Sequence, residues 1–600
     1  MIVEDKQKRY TLSDKTLFKR IFKYMKPHWW RYLVSIILMG VSVGLEILSP
    51  FLTHLALKEL GKESISLSNH ILFFILGIGS AILANLVSFF QNLFMHKTGQ
   101  YIVYEIRREV FSHIQKFSHH QLNEIPVGTL VTRCTADINV LFTLYTSVLI
   151  NILRYIATLI GVYVAMLILN PRLALIVLAI FPTVVALTVF FRIKLRKIHR
   201  NVRTEVSNMN AFLSENISGM KVTQIFNQED KKYKEFEAAN NRLKKASIKE
   251  IFTFGVFRPL IYVIYFVTVI VILYTGTNEA ITLGFIGAIT YDELYAFYQY
   301  ISRFFNPIQN LADQYNNLQS AFAAAEKIYT ILDIKPEILD SEDAIDIELE
   351  GTIEFRNVWF AYIEDEWILK NVSFTIHPKD VVAFVGATGA GKSTILGLIT
   401  RNYDIQKGQI LIDGIDIKKI KLSSLRSQIG QMLQDVFLFS GTIADNIRLN
   451  EETITDEDIK RACDEVNASH FIDKEELGIY APVGERGNNL SLGQRQLISF
   501  ARVLVHKPKF IILDEATSNI DTETELLIQD SLEKVIKNNT MIMVAHRLST
   551  IQHATKIFVF DHGQIIEEGN HQELLKQRGR YYQLYMLQFE RAKKYEDSSI

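Results

Sequence analysis

Val381-Val382-Ala383-Phe384-Val385, continuing into Gly386-Ala387-Thr388-Gly389-Ala390-Gly391-Lys392-Ser393-Thr394, reads as a strand feeding a glycine loop. The first five residues are apolar without alternation, the pattern of a strand buried on both faces. In the next nine, glycine recurs at the first, fourth and sixth positions, so the backbone turns sharply and its N–H groups converge on an anion. Residues 393 to 399 then read as a helix whose positive N-terminal end faces the same point. This order makes a phosphate-binding loop, in which Lys392 reaches the outer phosphates and the Ser393 hydroxyl holds Mg2+.

Around this loop lie 600 residues, too many for one core, so two or more domains are expected. The 65 basic and 65 acidic residues cancel, which argues against a nucleic-acid partner held by bulk positive charge. An apolar fraction of 48% and a mean hydropathy of +0.12 coexist with 22% charged residues. Segregation into a membrane half and a water-soluble half accounts for both. The two cysteines, Cys134 and Cys463, belong to no Cys-x-x-Cys or Cys/His cluster, so neither a disulfide framework nor a zinc site is expected. Residues 1 to 10 are polar and charged, so no removable leader is expected and the N-terminus is expected in the cytoplasm.

The apolar character is concentrated in the first half. Leu17, Phe18, Ile21, Phe22 and Met25 recur at helical spacing, with Lys15, Lys19, Lys23 and Lys26 on or beside the other face. Trp29, Trp30 and Arg31 follow at once, so a basic amphipathic helix on the inner membrane surface is expected. Six spans long enough to cross a bilayer follow, at about 32 to 57, 71 to 95, 140 to 169, 172 to 193, 251 to 275 and 288 to 308. Outer connections are short. The inner ones, at about 96 to 139 and 194 to 250, are long, polar, helical in pattern and flanked by basic clusters. Glu46 and Arg154 fall inside spans and either pair with each other or line a polar cavity. Asp292 and Glu293 suit the N-terminus of the sixth helix, as an outer gate or a solvated cap.

From Asp333 to Glu350 the chain turns acidic, with Pro336 as a breaker, which marks a boundary. A strand-like run at 352 to 360 leads to Tyr362, an aromatic that either stacks on adenine or belongs to an edge-strand core. Further on, Phe510-Ile511-Ile512-Leu513-Asp514-Glu515 is an apolar strand ending in two carboxylates. After a phosphate loop, the first supports Mg2+ and the second orients or deprotonates the attacking water. His546, at the end of the strand-like run 541 to 545, either senses a terminal phosphate or is a satisfied core histidine.

Leu490-Ser491-Leu492-Gly493-Gln494-Arg495-Gln496 stands about twenty residues before Asp514. Together with the phosphate loop, Gln434, Asp514-Glu515, Ser518-Asn519-Ile520-Asp521 and His546, it resembles the ATP-binding cassette (ABC) family. The fused six-span half resembles an exporter half-transporter of the multidrug and lipid type. Gly128-Thr129-Leu130 with Arg133 and Asp137, Asn210-Ala211-Phe212 with Gly219, and Val483-Gly484-Glu485-Arg486-Gly487 are similar to that family's coupling segments. The resemblance implies an all-α six-helix transmembrane domain followed by an α/β P-loop nucleotide-binding domain. The expected divisions are a cytoplasmic N-terminus with its amphipathic helix (1–31), the membrane domain (32–332), a linker (333–350) and the cassette (351–600).

The same resemblance implies ATP and Mg2+ as ligands and ATP hydrolysis coupled to transport. Tyr362 stacks on adenine, Gly386, Ala387, Thr388, Gly389, Ala390, Gly391, Lys392, Ser393 and Thr394 bind phosphates, and Ser393, Gln434 and Asp514 hold the metal. Glu515 is the general base, with His546, Gln434 and Lys392 as catalytic partners. Ser491, Gly493 and Gln494 reach ATP held by a second cassette, and Asp521 belongs to the same site. Two departures stand out: Leu492 where the family signature has glycine, and Asn519 where it has alanine. Leucine lacks glycine's backbone range and adds bulk beside a phosphate, while Glu515 and Lys392 are intact; that asymmetry resembles one chain of the heterodimeric bacterial exporters, so a heterodimer with one fully competent site is preferred over a homodimer. Cargo is expected to be hydrophobic or amphipathic, the setting a bacterial inner membrane, with an ATP-gated channel or regulator as the alternative.

Overall fold

The computed structural model describes residues 14–60, 67–282, 290–432, 435–449, 451–514, 530, 540–544 and 551–587. The chain divides into two compact units, Met1–Gln115 with Pro126–Ile334, and Lys116–Ile125 with Lys335–Ile600.

The first unit is helical. α1 (Asp14–Met25) precedes α2 (Trp29–Leu60) and α3 (Leu67–Ile114), while α4 (His119–Glu124) belongs to the second unit. The helical unit continues through α5 (Val127–Leu169), α6 (Pro171–Ser218), α7 (Met220–Ile225), α8 (Glu229–Thr282) and α9 (Tyr291–Leu332). α5 contains two π-helical turns, Arg133–Asp137 and Leu144–Val148.

Five described helices are long and apolar enough to cross a membrane, the first of them running from Lys15 through α1 and α2. The sixth expected span falls in α9, which is equally continuous but is not among those five. The expected long inner connections are largely extensions of the spanning helices: α3 runs on to Ile114 and α6 to Ser218. The α5–α6 turn is a single residue. Asn170 accepts hydrogen bonds from the N–H groups of Arg172 (3.1 Å) and Leu173 (3.3 Å), and Pro171 takes the first helical position, where no N–H is needed.

α1 divides the apolar residues of the expected amphipathic helix between two faces. Leu17, Ile21 and Tyr24 are buried in the helical core, but Phe18 and Phe22 are exposed on another face with the lysines. Hydrophobic spacing alone groups these residues, whereas a helix clasped on one side can bury only about a third of its surface.

Of the charged residues inside spans, Arg154 hydrogen-bonds Glu46 and also donates to Ser88 Oγ at 3.0 Å, so the pairing alternative is the one adopted. α2, α3 and α5 meet there. Asp292 lies in the first turn of α9 as expected, yet it is buried against His54 of α2 at 2.9 Å, which excludes a solvated cap at this residue.

The second unit is α/β. β1 (Ile353–Ala361), β2 (Trp367–Ile376), β4 (Lys407–Ile412) and β5 (Ile415–Asp416) form an antiparallel sheet in the order β2-β1-β4-β5. The six-stranded sheet has the order β12-β11-β3-β10-β9-β6, from β3 (Val381–Gly386), β6 (Ile429–Met432), β9 (Phe510–Asp514), β10 (Thr540–Val544), β11 (Lys556–Asp561) and β12 (Gln564–Gly569). All its pairs are parallel except β11 with β12, and β7 (Gly441–Thr442) pairs antiparallel with β8 (Pro482–Val483) in a separate two-stranded sheet.

Alternation along β3 divides the core. Val382 and Phe384 pack with Phe374 and Phe558 toward the antiparallel sheet, while Val381, Ala383 and Val385 face Leu497, Ile498 and Phe500 of α11 (Leu492–Val505) on the other side. α10 (Lys392–Ile399) follows the glycine loop. Part of the acidic stretch joins this unit, since Leu349 is buried in its core and Ile345 bridges to Ile420. Both Cys134 and Cys463 are free thiols.

Candidate functional site

The glycine loop lies at the C-terminal end of β3, where parallel strands leave a crevice open to ligands. Gly386 is required by close approach: a Cβ there would sit 2.3 Å from the Phe560 carbonyl oxygen. Gly391 is required by conformation. It caps α10 with φ +102° and ψ 5°, and a Cβ would meet Leu369 at 2.8 Å. Lys392, 5% exposed, curls back so that Nζ donates to the carbonyls of Gly386 and Ala387, both at 2.9 Å. The ammonium is thus held at the rim of the loop.

Ser393 Oγ is 3.4 Å from Asp514 Oδ1. The hydroxyl lies in the first turn of α10 and the carboxylate ends β9, so two elements bring hard oxygen donors together in the manner Mg2+ favours. Glycine cradle, buried ammonium and oxygen pair fit a magnesium nucleoside triphosphate. Thr388, Gly389 and Ala390 complete the loop, with Ala390 buried beneath it.

Tyr362 follows β1 directly and is 42% exposed, and its hydroxyl is 3.1 Å from Thr394 Oγ1. Its ring meets Phe360 edge-on at 4.8 Å and Tyr403 at 5.1 Å. Tyr403 was not legible as a site residue, since a tyrosine after a helix gives no signal in sequence. In space it links the site to α4: its ring lies 6.2 Å from His119 and 6.4 Å from His120. Burial pushes the Tyr403 hydroxyl's pKa up, Tyr362 adds in the same direction, and a hydrogen bond with Asn123 opposes them. His120, Glu337, Phe360, Tyr362, Tyr403 and Gln406 line a cavity of about 250 Å³ here.

α4 itself is firmly fixed within this unit. Ser118 and Gln121 form a reciprocal capping box, Ser118 Oγ donates to Glu337 at 2.8 Å, and Gln121 Nε2 donates to the Lys335 carbonyl at 2.8 Å.

Ser491, Gly493 and Gln494 sit at the start of α11. Ser491 Oγ accepts from the Gln494 N–H at 3.2 Å while Gln494 Oε1 accepts from the Ser491 N–H at 2.8 Å. This capping box fixes the start of α11 within the motif. It also corrects the backbone argument at Leu492: that residue opens α11 and is absent from the positive-φ set, so glycine's conformational range is not needed there. Only its bulk remains as a departure. Gln434, Glu515, Asp521 and His546 lie outside the described residues, as do Ser518 and Asn519.

Helices fit to cross a membrane, joined in one chain to a phosphate-loop α/β unit, define an ATP-driven membrane transporter. The model of the ABC transporter transmembrane region matches residues 32–308, and that of the ABC transporter matches residues 369–518. The probable multidrug resistance ABC transporter ATP-binding/permease protein YheH of Bacillus subtilis is 39% identical over 83% of this chain and 74% of its own. The ATP-dependent lipid A-core flippase of Syntrophus aciditrophicus is 33% identical over 96% of this chain and 95% of its own. A solved bacterial Atm1-family ABC exporter with ATP bound matches with a TM-score of 0.74 at 26% identity, over 93% of this chain and 98% of that one. The chain belongs to the ABC transporter family. It is a membrane protein of the exporter type, whose cassette binds ATP and whose ATP hydrolysis is coupled to transport.

Proposed function

We propose that this chain is one half of an exporter that moves hydrophobic or amphipathic compounds, drug-like or lipid-like, out of the cytoplasm or inner leaflet of a bacterial membrane. The observation that carries the reading is the phosphate cradle with Lys392 and the Ser393–Asp514 pair, fused to the spanning helices. Multidrug and lipid names among the relatives support the cargo class. The cassette and both termini are assigned to the cytoplasm.

In this reading Tyr362 stacks on adenine, and the N–H groups from Gly386 to Thr394 bind the phosphates. Lys392 exchanges its two carbonyls for phosphate oxygens, which keeps its charge satisfied in both states. Mg2+, held by Ser393, Gln434 and Asp514, supplies charge neutralisation at the transferring phosphoryl group. Glu515 deprotonates the attacking water, and His546 contacts the terminal phosphate. Ser491, Gly493 and Gln494 clamp ATP bound to a second cassette, and Asp521 completes that site.

Two cassettes are therefore needed, and ATP drives closure because its second set of contacts exists only in the closed pair. Exposed Ile217, Met220, Val222, Ile225 and Phe226 around α7 form an apolar tip that a second chain covers. Leu492 narrows the clamp it offers, so the partner is a different chain with an intact signature, and one of the two sites hydrolyses ATP.

Steady-state ATPase in lipid nanodiscs, across a concentration series of the lone chain and of Glu515→Gln, tests this. Negligible turnover by the lone chain, restored by a partner cassette with an intact signature, is the expected result. Glu515→Gln is expected to bind ATP but lose at least about a hundredfold in turnover. Robust turnover by the lone chain would establish a homodimer instead, and a Glu515→Gln rate near wild type would remove Glu515 as the base.

A further inference from the structure

α1 presents three distinct faces. Leu17, Ile21 and Tyr24 are buried in the bundle, fastened by hydrogen bonds from Tyr24 to Glu109 (2.8 Å) and from Tyr145 to the Ile21 carbonyl (3.1 Å). On the margin, Arg20 Nη1 donates to both carboxylate oxygens of Asp333, at 2.9 and 2.8 Å, and its guanidinium lies 5.2 Å from the Tyr329 ring centroid. The third face is exposed and carries Lys15, Lys19, Lys23 and Lys26, with Phe18, Phe22, Trp29 and Trp30 among them. No carboxylate pairs with these four lysines among the described residues.

We propose that this third face binds the anionic phospholipid headgroups of the adjoining leaflet, and that Arg20 transmits the binding to the end of α9. The occupant follows from chemistry and position. The two indoles open α2, so the lysines stand at the level where a spanning helix enters the bilayer. A row of ammonium groups interleaved with aromatic rings matches a surface with phosphate charge outside and acyl chains beneath, rather than the fully hydrated surface of an acidic protein. Each lysine near an anionic leaflet strengthens attraction by about fivefold.

Transmission follows from the Arg20–Asp333 contact. Asp333 caps the C-terminus of α9, where a carboxylate faces the negative end of the helix dipole and frays the last turn unless a cation offsets it. Arg20 is that cation. Seating α1 on anionic lipid fixes Arg20, which holds the last turn of α9, two residues before the chain enters the second unit at Lys335. Phosphatidylcholine, with no net charge, leaves the lysine face unanchored. The inference is independent of cargo and of partner identity.

The test uses the full chain in nanodiscs of phosphatidylcholine, with and without phosphatidylglycerol. Native mass spectrometry should show preferential retention of phosphatidylglycerol, falling about fivefold per lysine from wild type to K15Q/K19Q/K23Q/K26Q. Hydrogen exchange in residues 330–333 should slow several-fold when phosphatidylglycerol is present. Arg20→Gln, and Asp333→Asn as a second variant, should retain the lipid preference but lose that protection. Equal retention of both lipids by the wild type, or a preference surviving in the four-lysine variant, would overturn the binding face. Protection persisting in both Arg20→Gln and Asp333→Asn would overturn the transmission. Tighter binding of soluble polyglutamate than of phosphatidylglycerol would assign the face to an acidic protein instead.

Discussion

Leu492 shows how one side chain separates backbone from bulk. Its place at the head of α11, braced by the Ser491–Gln494 capping box, is compatible with any L-residue, so the difference from glycine is confined to side-chain volume. Leu492→Gly should therefore leave the fold's melting temperature close to wild type, because an N-terminal helical position loses only about 1 kcal/mol on this change. It should raise the ATPase rate of the assembled transporter, measured at saturating ATP. An unchanged rate would mean that bulk at 492 does not limit the clamp.

Cys463 makes a second residue-level case. Burial, with Asp464 and Asp473 adding to it, pushes its thiol up to about 12, so the folded cassette keeps the proton that the unfolded chain releases near the ordinary thiol value. The folded pKa of an acid is raised here, so stability is unaffected below about pH 8 and falls as pH rises toward 12, by about 2 kcal/mol at pH 10. Denaturant titration at pH 8 and pH 10 checks the sign. Alkylation at pH 8 should spare Cys463 until the cassette unfolds.

Among the elements, α4 has the most consequence for the site. Its sequence lies within the connection of helical pattern at about 96 to 139 and gives no indication of a separate short helix or of which unit it joins. The structure ties it to the cassette by Ser118–Glu337 and Gln121–Lys335, and puts Tyr403 between its histidines and Tyr362. In the proposed reading, Tyr403 thereby positions the Tyr362 ring against adenine. An edge-on aromatic pair contributes about 0.5–1.5 kcal/mol, so Tyr403→Ala should raise KM for ATP about two- to tenfold while changing kcat less. An ATPase titration separates the two, and a loss confined to kcat would refute the positioning role.

The elements themselves were largely legible. The glycine loop and its flanking β3 and α10 follow from local rules, because a strand buried on both faces and a phosphate loop each require particular residues at particular positions. α1 was harder to read. Five apolar residues at helical spacing suggest a single face, but only neighbouring helices determine that Leu17 and Ile21 turn inward while Phe18 and Phe22 stay exposed.

At the scale of the whole molecule, the contrast between spanning helices and a charged α/β unit is the signature of a transporter. In the proposed assembly the apolar tip around α7 meets the second chain; among the described residues it carries Ile225 at 75% and Phe226 at 68% exposure. Phe226→Asp should leave the thermal unfolding of the lone chain unchanged and should reduce both association with the second chain and the ATPase rate of the assembly. Size-exclusion light scattering with a parallel ATPase assay tests this, and unaltered assembly would place the interface elsewhere.

The sequence by itself determined the phosphate loop, the strand carrying Asp514, the apolar spans and the order of the two halves, because each depends on residue type and near-neighbour spacing. Tertiary structure alone decided that α4 joins the cassette, that Glu46 bonds Arg154, that Asp292 is buried on His54, and that Arg20 holds Asp333 across more than three hundred residues of chain. Those contacts arise from packing between distant segments, and no local pattern encodes which distant side chain will complete a hydrogen bond or neutralise a buried charge.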